Sequence, residues 1–275
     1  MNKPIAIQGI KGSFHHEVAQ LFFSANTDVV ECMTFDGTVD SLLKGDSDYI
    51  VMALENSIAG SIIPNYALID RHNLSIVGEH YLDIQHNFLA LNGQTIADIK
   101  EVHSHPMALL QCKVFFKDYP HIKLVEAKDT ADVAKQISDK GIKGIAAIAS
   151  KNAAELYGLE ILAESIQTIK HNETRFVIVK LQNFETDKKG LNKASIKFEL
   201  DHKRGSLATI LNVMSDCKLN LTKIQSLPKI ETPWKYAFFV DVTFEDYKYY
   251  EKASSIMEIM AENFKVLGEY KNARL

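Results

Sequence analysis

Four arginines occur in the 275 residues: Arg71, Arg175, Arg204 and Arg274. Arg175 stands in His171-Asn172-Glu173-Thr174-Arg175-Phe176, directly before the apolar run Val177-Ile178-Val179. A guanidinium at the mouth of a buried strand suits two-pronged recognition of a carboxylate. Thr174 beside it adds a short hydroxyl donor. The competing reading is an edge arginine paired with a surface acid. Ser13 and Ser104 each follow a strand-like run and precede a helical pattern, the place of a helix cap. Free amides and the positive end of the dipole attract anions there, so two such caps in successive units fit a small dianion. For either serine alone, a structural cap is the better reading. Asn56 and Ser57 follow a strand end, where open α/β sheets take their ligands. Gln111 lies seven residues beyond Ser104, two helical turns along the same face. It reads as a ligand contact or as an exposed helix glutamine.

Metal and nucleotide chemistry have weaker support. His15-His16 and His103-x-His105 occur. No HExxH, no CxxC pair and no further ligand at metal-site spacing accompanies them. Gly9-Ile10-Lys11-Gly12 is neither GxGxxG nor a P-loop. The expectation is therefore no metal and no cofactor.

The elements that would hold these residues alternate. Pro4–Ile7 is a strand, Phe14–Phe22 a helix, and Tyr49–Leu54 a strand. Leu74–Glu79 and Asp83–Leu91 are strand-like. Ile99–His103 leads into a helix over Met107–Phe116, with Pro106 in its first turn, where a missing amide costs nothing. Strand 123–127, helix 130–139, strand 144–149, helix 151–157 and strand 174–180 follow. Strands alternating with helices indicate an α/β fold with a mostly parallel sheet. Gln182–Lys193 is polar and reads as a linker. Beyond it come strand 195–200, helix 206–217, strand 220–229, a Glu231-Thr232-Pro233 turn, strand 235–244, helix 247–263 and strand 264–270. That is the ferredoxin-like βαββαβ order. Gly205, in the loop Asp201–Leu207, would let backbone amides approach a small carboxylate, or it simply opens a helix.

Composition narrows the partners. Lys and Arg total 31 against 35 Asp and Glu, a net charge of −4. No basic excess exists for a phosphate backbone, so no nucleic-acid partner is expected. The three cysteines, Cys32, Cys112 and Cys217, are few and far apart, as in a reducing compartment. The opening MNKPIAIQGIKGSF does not read as a signal peptide. No apolar run approaches the roughly 18 residues of a membrane span. The reading is a cytoplasmic protein with no membrane partner.

Several segments, taken in order, resemble the prephenate dehydratase family. Gly12-Ser13-Phe14-x-His16 is similar to its G-[ST]-F-x-H element, and Glu55-Asn56-Ser57-x-x-Gly60 to its E-N-[ST]-x-x-G element. Ser104-His105-Pro106 with Gln111-Cys112 resembles the S-H-P…Q-C segment. Ala149-Ser150 through Tyr157-Gly158-Leu159 resembles the A-S…AA…YGL stretch. Asn172-x-Thr174-Arg175-Phe176 is similar to the N-x-T-R-F signature, the most diagnostic of the set. Gly205-Ser206-Leu207 resembles the G-A-L effector motif of the associated ACT domain. Gln225-Ser226-Leu227-Pro228 stands where that class often has E-S-R-P, without its two charges.

The resemblance implies a two-lobed catalytic domain over 1–181, similar to type II periplasmic binding proteins. Its lobes would be about 1–80 plus 174–180, and 81–170. A linker over 182–193 and an ACT regulatory domain over 194–275 would complete the chain. It implies a monofunctional enzyme converting prephenate to phenylpyruvate, CO2 and water without a cofactor. Catalytic positions carried over are Thr174, Arg175, Asn56, Gln111 and Ser104. Substrate-binding positions are Ser13, Phe14, Ser57, His105 and Phe176. Effector positions are Gly205, Ser206, Leu207 and Gln225, Ser226, Leu227, Pro228, with L-phenylalanine as effector in a homodimer or homotetramer. The rivals are arogenate dehydratase and a non-catalytic small-ligand sensor.

Overall fold

A computed structural model describes residues 3–182, 187–200, 203–228 and 236–274. The elements run β1 (Ile5–Gln8), α1 (Phe14–Phe22), β2 (Val29–Cys32), α2 (Phe35–Lys44), β3 (Tyr49–Asn56), β4 (Gly60–Ser61), α3 (Ile63–Arg71) and β5 (Leu74–Asp83). Next come β6 (Asn87–Ala90), β7 (Glu101–Ser104), α4 (Pro106–Cys112), β8 (Lys123–Glu126), α5 (Thr130–Lys140), β9 (Ile145–Ala149), α6 (Lys151–Tyr157), β10 (Glu160–Ala163) and β11 (Glu173–Leu181). The last are β12 (Lys193–Glu199), α7 (Ser206–Asp216), β13 (Asn220–Pro228), β14 (Tyr236–Thr243), α8 (Tyr247–Met260) and β15 (Glu262–Tyr270). Two compact units result: residues up to Gly60 with Tyr81–Phe176, and Ser61–His80 with Val177 onward. No described helix is long and apolar enough to cross a membrane.

In the first unit, β1 pairs in parallel with β2 and β3, and Ala6 faces both Val30 and Ile50. Gly12 then turns the chain at φ +89°, and a Cβ there would lie 3.1 Å from the Ala153 Cα. Only glycine suits both the angle and the approach. Ser13 caps α1, its hydroxyl accepting from His16 N at 3.2 Å. A second sheet has the order β10-β6-β9-β7-β8, with β7 parallel to β8 and β9. Alternation buries both of its faces. Phe88 and Ile148 pack with Leu109 and Phe116, while Leu89 and Ala147 pack with Ala134 and Ile137. Each large apolar side chain buried this way contributes about 1.5–3 kcal/mol.

Three features differ from the sequence reading. β2, α2, β4, α3 and β10 have no counterpart in the sequence reading. The α2 segment carries Gly37 and Thr38, weak helix formers, and forms because Thr34 caps it, Gly45 ends it and Val39 and Leu42 are buried. The helix expected over 107–116 stops at Cys112, and a 3-10 turn covers Phe115–Asp118. Ser104 does not cap that helix. With Pro106 as its first residue the cap falls on His105, whose Nδ1 accepts from Met107 N at 3.2 Å. Residues 183–186 of the polar stretch, Asp201 and His202 of the loop before α7, and the Glu231-Thr232-Pro233 turn lie outside the described residues.

In the second unit, β12-α7-β13-β14-α8-β15 forms a sheet in the order β13-β14-β12-β15, the ferredoxin-like arrangement. One face of β12, Ala194, Ile196 and Phe198, packs with Ile210, Met214, Tyr250 and Met257. The other face is polar. Lys193 Nζ donates to both oxygens of Glu79 at 2.9 and 2.8 Å, and both side chains are buried. Helix α3 meets this face: Asp70 accepts from Lys197 at 2.7 Å and from Lys265 at 3.1 Å, and Tyr66 sets its ring edge to Phe239. β15 runs parallel to β5 at Gly268 and Ile76, where a Cβ on Gly268 would collide with the Ile76 carbonyl.

Two expectations follow for stability. Removing one member of a buried ion pair strands the other charge. Lys193→Ala should cost about 3–5 kcal/mol in urea unfolding, and the double replacement Lys193→Met with Glu79→Leu should recover most of it. His15 is buried with its ring edge-on to Phe35 and Phe176, and burial lowers its imidazole from 6.5 to about 3. Below pH 6.5 the unfolded chain takes up a proton that the fold excludes, so stability falls as pH drops from 6.5 toward 3. His15→Leu should flatten that loss, measured as urea midpoints at pH 7 and pH 5.

Candidate active site

β11 begins at Glu173, and its first residues are set by exchange with the end of β3. Ser57 N donates to the Glu173 carbonyl at 2.8 Å, and Glu173 N donates to Ser57 Oγ at 3.0 Å. This exchange places Asn56 against the start of β11. The Asn56 side-chain oxygen accepts from the backbone amides of Ile58 and Ala59 at 3.0 and 2.8 Å. Its Nδ2 must therefore point the other way. It donates to Asn172 Oδ1 at 2.7 Å and to Thr174 Oγ1 at 2.9 Å. With its oxygen engaged, Asn172 donates through Nδ2 to Gln111 Oε1 at 2.9 Å. His86 Nε2 lies 2.9 Å from that same oxygen.

The chain of bonds has one direction. It starts at two backbone amides and ends with two unassigned donors. The Gln111 Nε2 group donates to no described residue, and the Thr174 hydroxyl accepts from Asn56, which leaves its proton free. Donors held this way in a water-poor setting suit oxygen atoms that gain negative charge.

Thr174 and Asn56 are thus together, as the sequence suggested, and Gln111 joins them through Asn172. Arg175 is 3% exposed. Strand alternation sends its side chain to the opposite face of β11 from Thr174. Both lie within two residues of the start of β11. Ser104 is fully buried and donates its hydroxyl to the Ile148 carbonyl at 2.7 Å. It can accept a hydrogen bond but has no proton to give. Ser13 is occupied as the cap of α1. The Phe14 ring lies edge-on to His86 at 5.7 Å. His105 caps α4, and Phe176 is buried against His15 with ring centroids 5.0 Å apart.

The effector positions are in the second unit. Gly205 has φ +86° and precedes α7, which begins at Ser206 and Leu207. Gln225, Ser226, Leu227 and Pro228 lie on β13, and Gln225 Nε2 donates to the Ser226 carbonyl at 2.9 Å.

Two site residues were not singled out as such from sequence. Asn172 was visible only as part of a motif. His86 sat inside an alternating strand-like run, and its polarity there was the only signal. It is 4% exposed, and burial lowers its imidazole pKa, with the Gln111 bond opposing. Burial thus favours the neutral imidazole, whose Nε2 faces the Gln111 oxygen. Next to Gln111, burial pushes the Cys112 thiol up to about 12, so it is no nucleophile. Among the described residues, no three His, Cys, Asp or Glu side chains converge to hold a metal.

Comparison with known proteins follows the same line. The "Arogenate dehydratase/prephenate dehydratase 2, chloroplastic" of Arabidopsis thaliana is 36% identical over 97% of this chain and 72% of its own length. Two further relatives are spanned to 62% and 56% of their lengths. The structure of GqqA, described as a novel type of quorum quenching acylase, aligns with TM-score 0.88 at 28% identity, covering 98% of both chains. The L-Phe complex of the prephenate dehydratase from Arthrobacter aurescens aligns with TM-score 0.86 at 24% identity over 98% of this chain and 90% of that one, a likeness of fold. The family model "Prephenate dehydratase" matches residues 5–183. On that match and the identity to the plant enzyme, the chain belongs to the prephenate dehydratase family.

Proposed function

We propose that this chain converts prephenate to phenylpyruvate, CO2 and water, feedback-regulated by phenylalanine. The observation that carries the site assignment is the one-directional chain from Asn56 through Asn172 to Gln111, with the Thr174 proton left to donate. In the reaction the bond from the ring to its carboxylate breaks and CO2 departs. The electron pair enters the ring, which becomes aromatic, and the ring hydroxyl leaves as hydroxide that solvent protonates. Aromatisation supplies the driving force. The protein's part is to bind a dianion, exclude water and stabilise the departing hydroxide.

Thr174 is assigned to hydrogen-bond the leaving hydroxyl. Its pKa is far too high for full proton transfer, so positioned donation is its contribution. Gln111 and Asn56 supply further polar contacts, and Ser104 lends only an acceptor. Arg175 is assigned to the pyruvyl carboxylate. A guanidinium tight on the ring carboxylate would hold the ground state against the loss of that charge. Acyl transfer would need an activated nucleophile, and among the described residues no serine or threonine hydroxyl hydrogen-bonds a histidine ring.

We further assign 1–181 to catalysis in two lobes, 182–193 to a linker and 194–275 to an ACT regulatory domain. Phenylalanine would bind around Gly205–Leu207 and Gln225–Pro228 in a cytoplasmic homodimer or homotetramer. The ferredoxin-like order supports this, as does the L-Phe in the Arthrobacter complex that shares the fold. Inhibition requires phenylalanine to favour a less active state, since equal affinity for both shifts nothing.

The deciding assay supplies prephenate or arogenate and follows phenylpyruvate or phenylalanine. Turnover of prephenate is expected, and inertness toward both refutes the proposal. Thr174→Val should lower kcat about 10²- to 10³-fold with the fold intact by circular dichroism. Arg175→Lys should mainly raise KM, and a collapse of kcat at unchanged KM would reassign it. Gly205→Val, forcing a branched side chain to φ +86°, should abolish inhibition by phenylalanine while retaining basal turnover.

A further inference from the structure

We infer that His86 is a positioning residue: with Asn172 it fixes the Gln111 amide so that the Gln111 Nε2 group is presented to the substrate. The inference rests on the dehydratase reading of the same site and adds a residue to it.

A glutamine amide is nearly symmetric in shape, and a single hydrogen bond does not fix its plane. Here the Gln111 oxygen meets two donors, Asn172 Nδ2 and His86 Nε2, each at 2.9 Å. Both of its lone pairs are then occupied. A flipped amide would set two N–H groups against two N–H donors. The Asn172 donor is itself forced by Asn56 and the Ile58 and Ala59 amides, so the histidine must conform to that polarity. Only the tautomer with the proton on Nε2 does so.

The imidazole is held for this task. The backbone N of His86 donates to Gln167 Oε1 at 3.0 Å, and its carbonyl accepts from Ile166 N at 2.8 Å. Phe14 closes one side with its ring edge. The other ring nitrogen, Nδ1, is fully buried and has no hydrogen-bond partner among the described residues. An unmet acceptor in the interior costs stability. A leucine or phenylalanine would fill the space without that cost. What the histidine adds is the bond to Gln111.

The test combines spectroscopy and a mutant cycle on the full chain. In the wild type, 15N shifts should report His86 as neutral with Nε2 protonated. A protonated Nδ1 or an imidazolium would overturn the inference without any variant. His86→Leu should lower kcat for prephenate about 10- to 100-fold, with KM changed far less, and should move the Gln111 side-chain amide resonances. His86→Gln, which places an N–H at similar reach, should restore most of the rate. In a Gln111→Leu background, His86→Leu should cost nothing more, because one group acts through the other. Multiplying losses, or wild-type turnover in His86→Leu, would overturn it. A wild type inert toward prephenate would instead remove the dehydratase reading and the catalytic meaning of His86 with it, while the spectroscopic signature still reported the pinned amide.

Discussion

Asn56 takes two backbone amides on its side-chain oxygen, and the polarity of the site follows from that. An amide side chain has one accepting and one donating end. Once backbone groups that cannot reverse hold the accepting end, the donating end has one direction left. Asn172 inherits the constraint, then Gln111. The Gln111 amide is therefore oriented by main-chain geometry some distance away. Such a network is stronger in a low-dielectric interior than in water, provided that every link is satisfied.

The same interior sets the state of the histidines. His15 and His86 are both driven toward the neutral form by burial, yet their roles differ. His15 packs between aromatic rings and serves the core. His86 hydrogen-bonds a polar partner that faces the site. Neutrality follows in both from burial, among aromatic rings in one case and beside a glutamine amide in the other.

Much of this was readable in the residues. Thr174 beside an apolar run and Asn56 at a strand end stood out by position, and hydrogen bonds join them. Gln111 was reached by counting two turns from Ser104, yet Ser104 lies on β7 outside that helix, and Gln111 meets the others through Asn172 instead. The order of elements after Lys193 was legible because each segment has one dominant period. What escaped had no local mark. The α2 segment contains Gly37 and Thr38, and its helix depends on burial of Val39 and Leu42, a tertiary effect. Ser104 has the look of a cap, but Pro106 moves the cap to His105 and frees the serine for Ile148. His86 lies 25 residues from Gln111, and nothing in the intervening sequence announces that they meet.

The path of the backbone has a consequence for modularity. The second unit takes residues 61–80 from the middle of the N-terminal half, so the chain passes between units at three places. A fragment starting near Lys193 would lack Glu79 for its buried ammonium and Ile76 beside Gly268. The C-terminal βαββαβ segment is thus not a cassette that could be grafted onto another protein unchanged. A transplant would have to carry α3 and β5 with it, or replace the charges and glycine that were shaped to receive them.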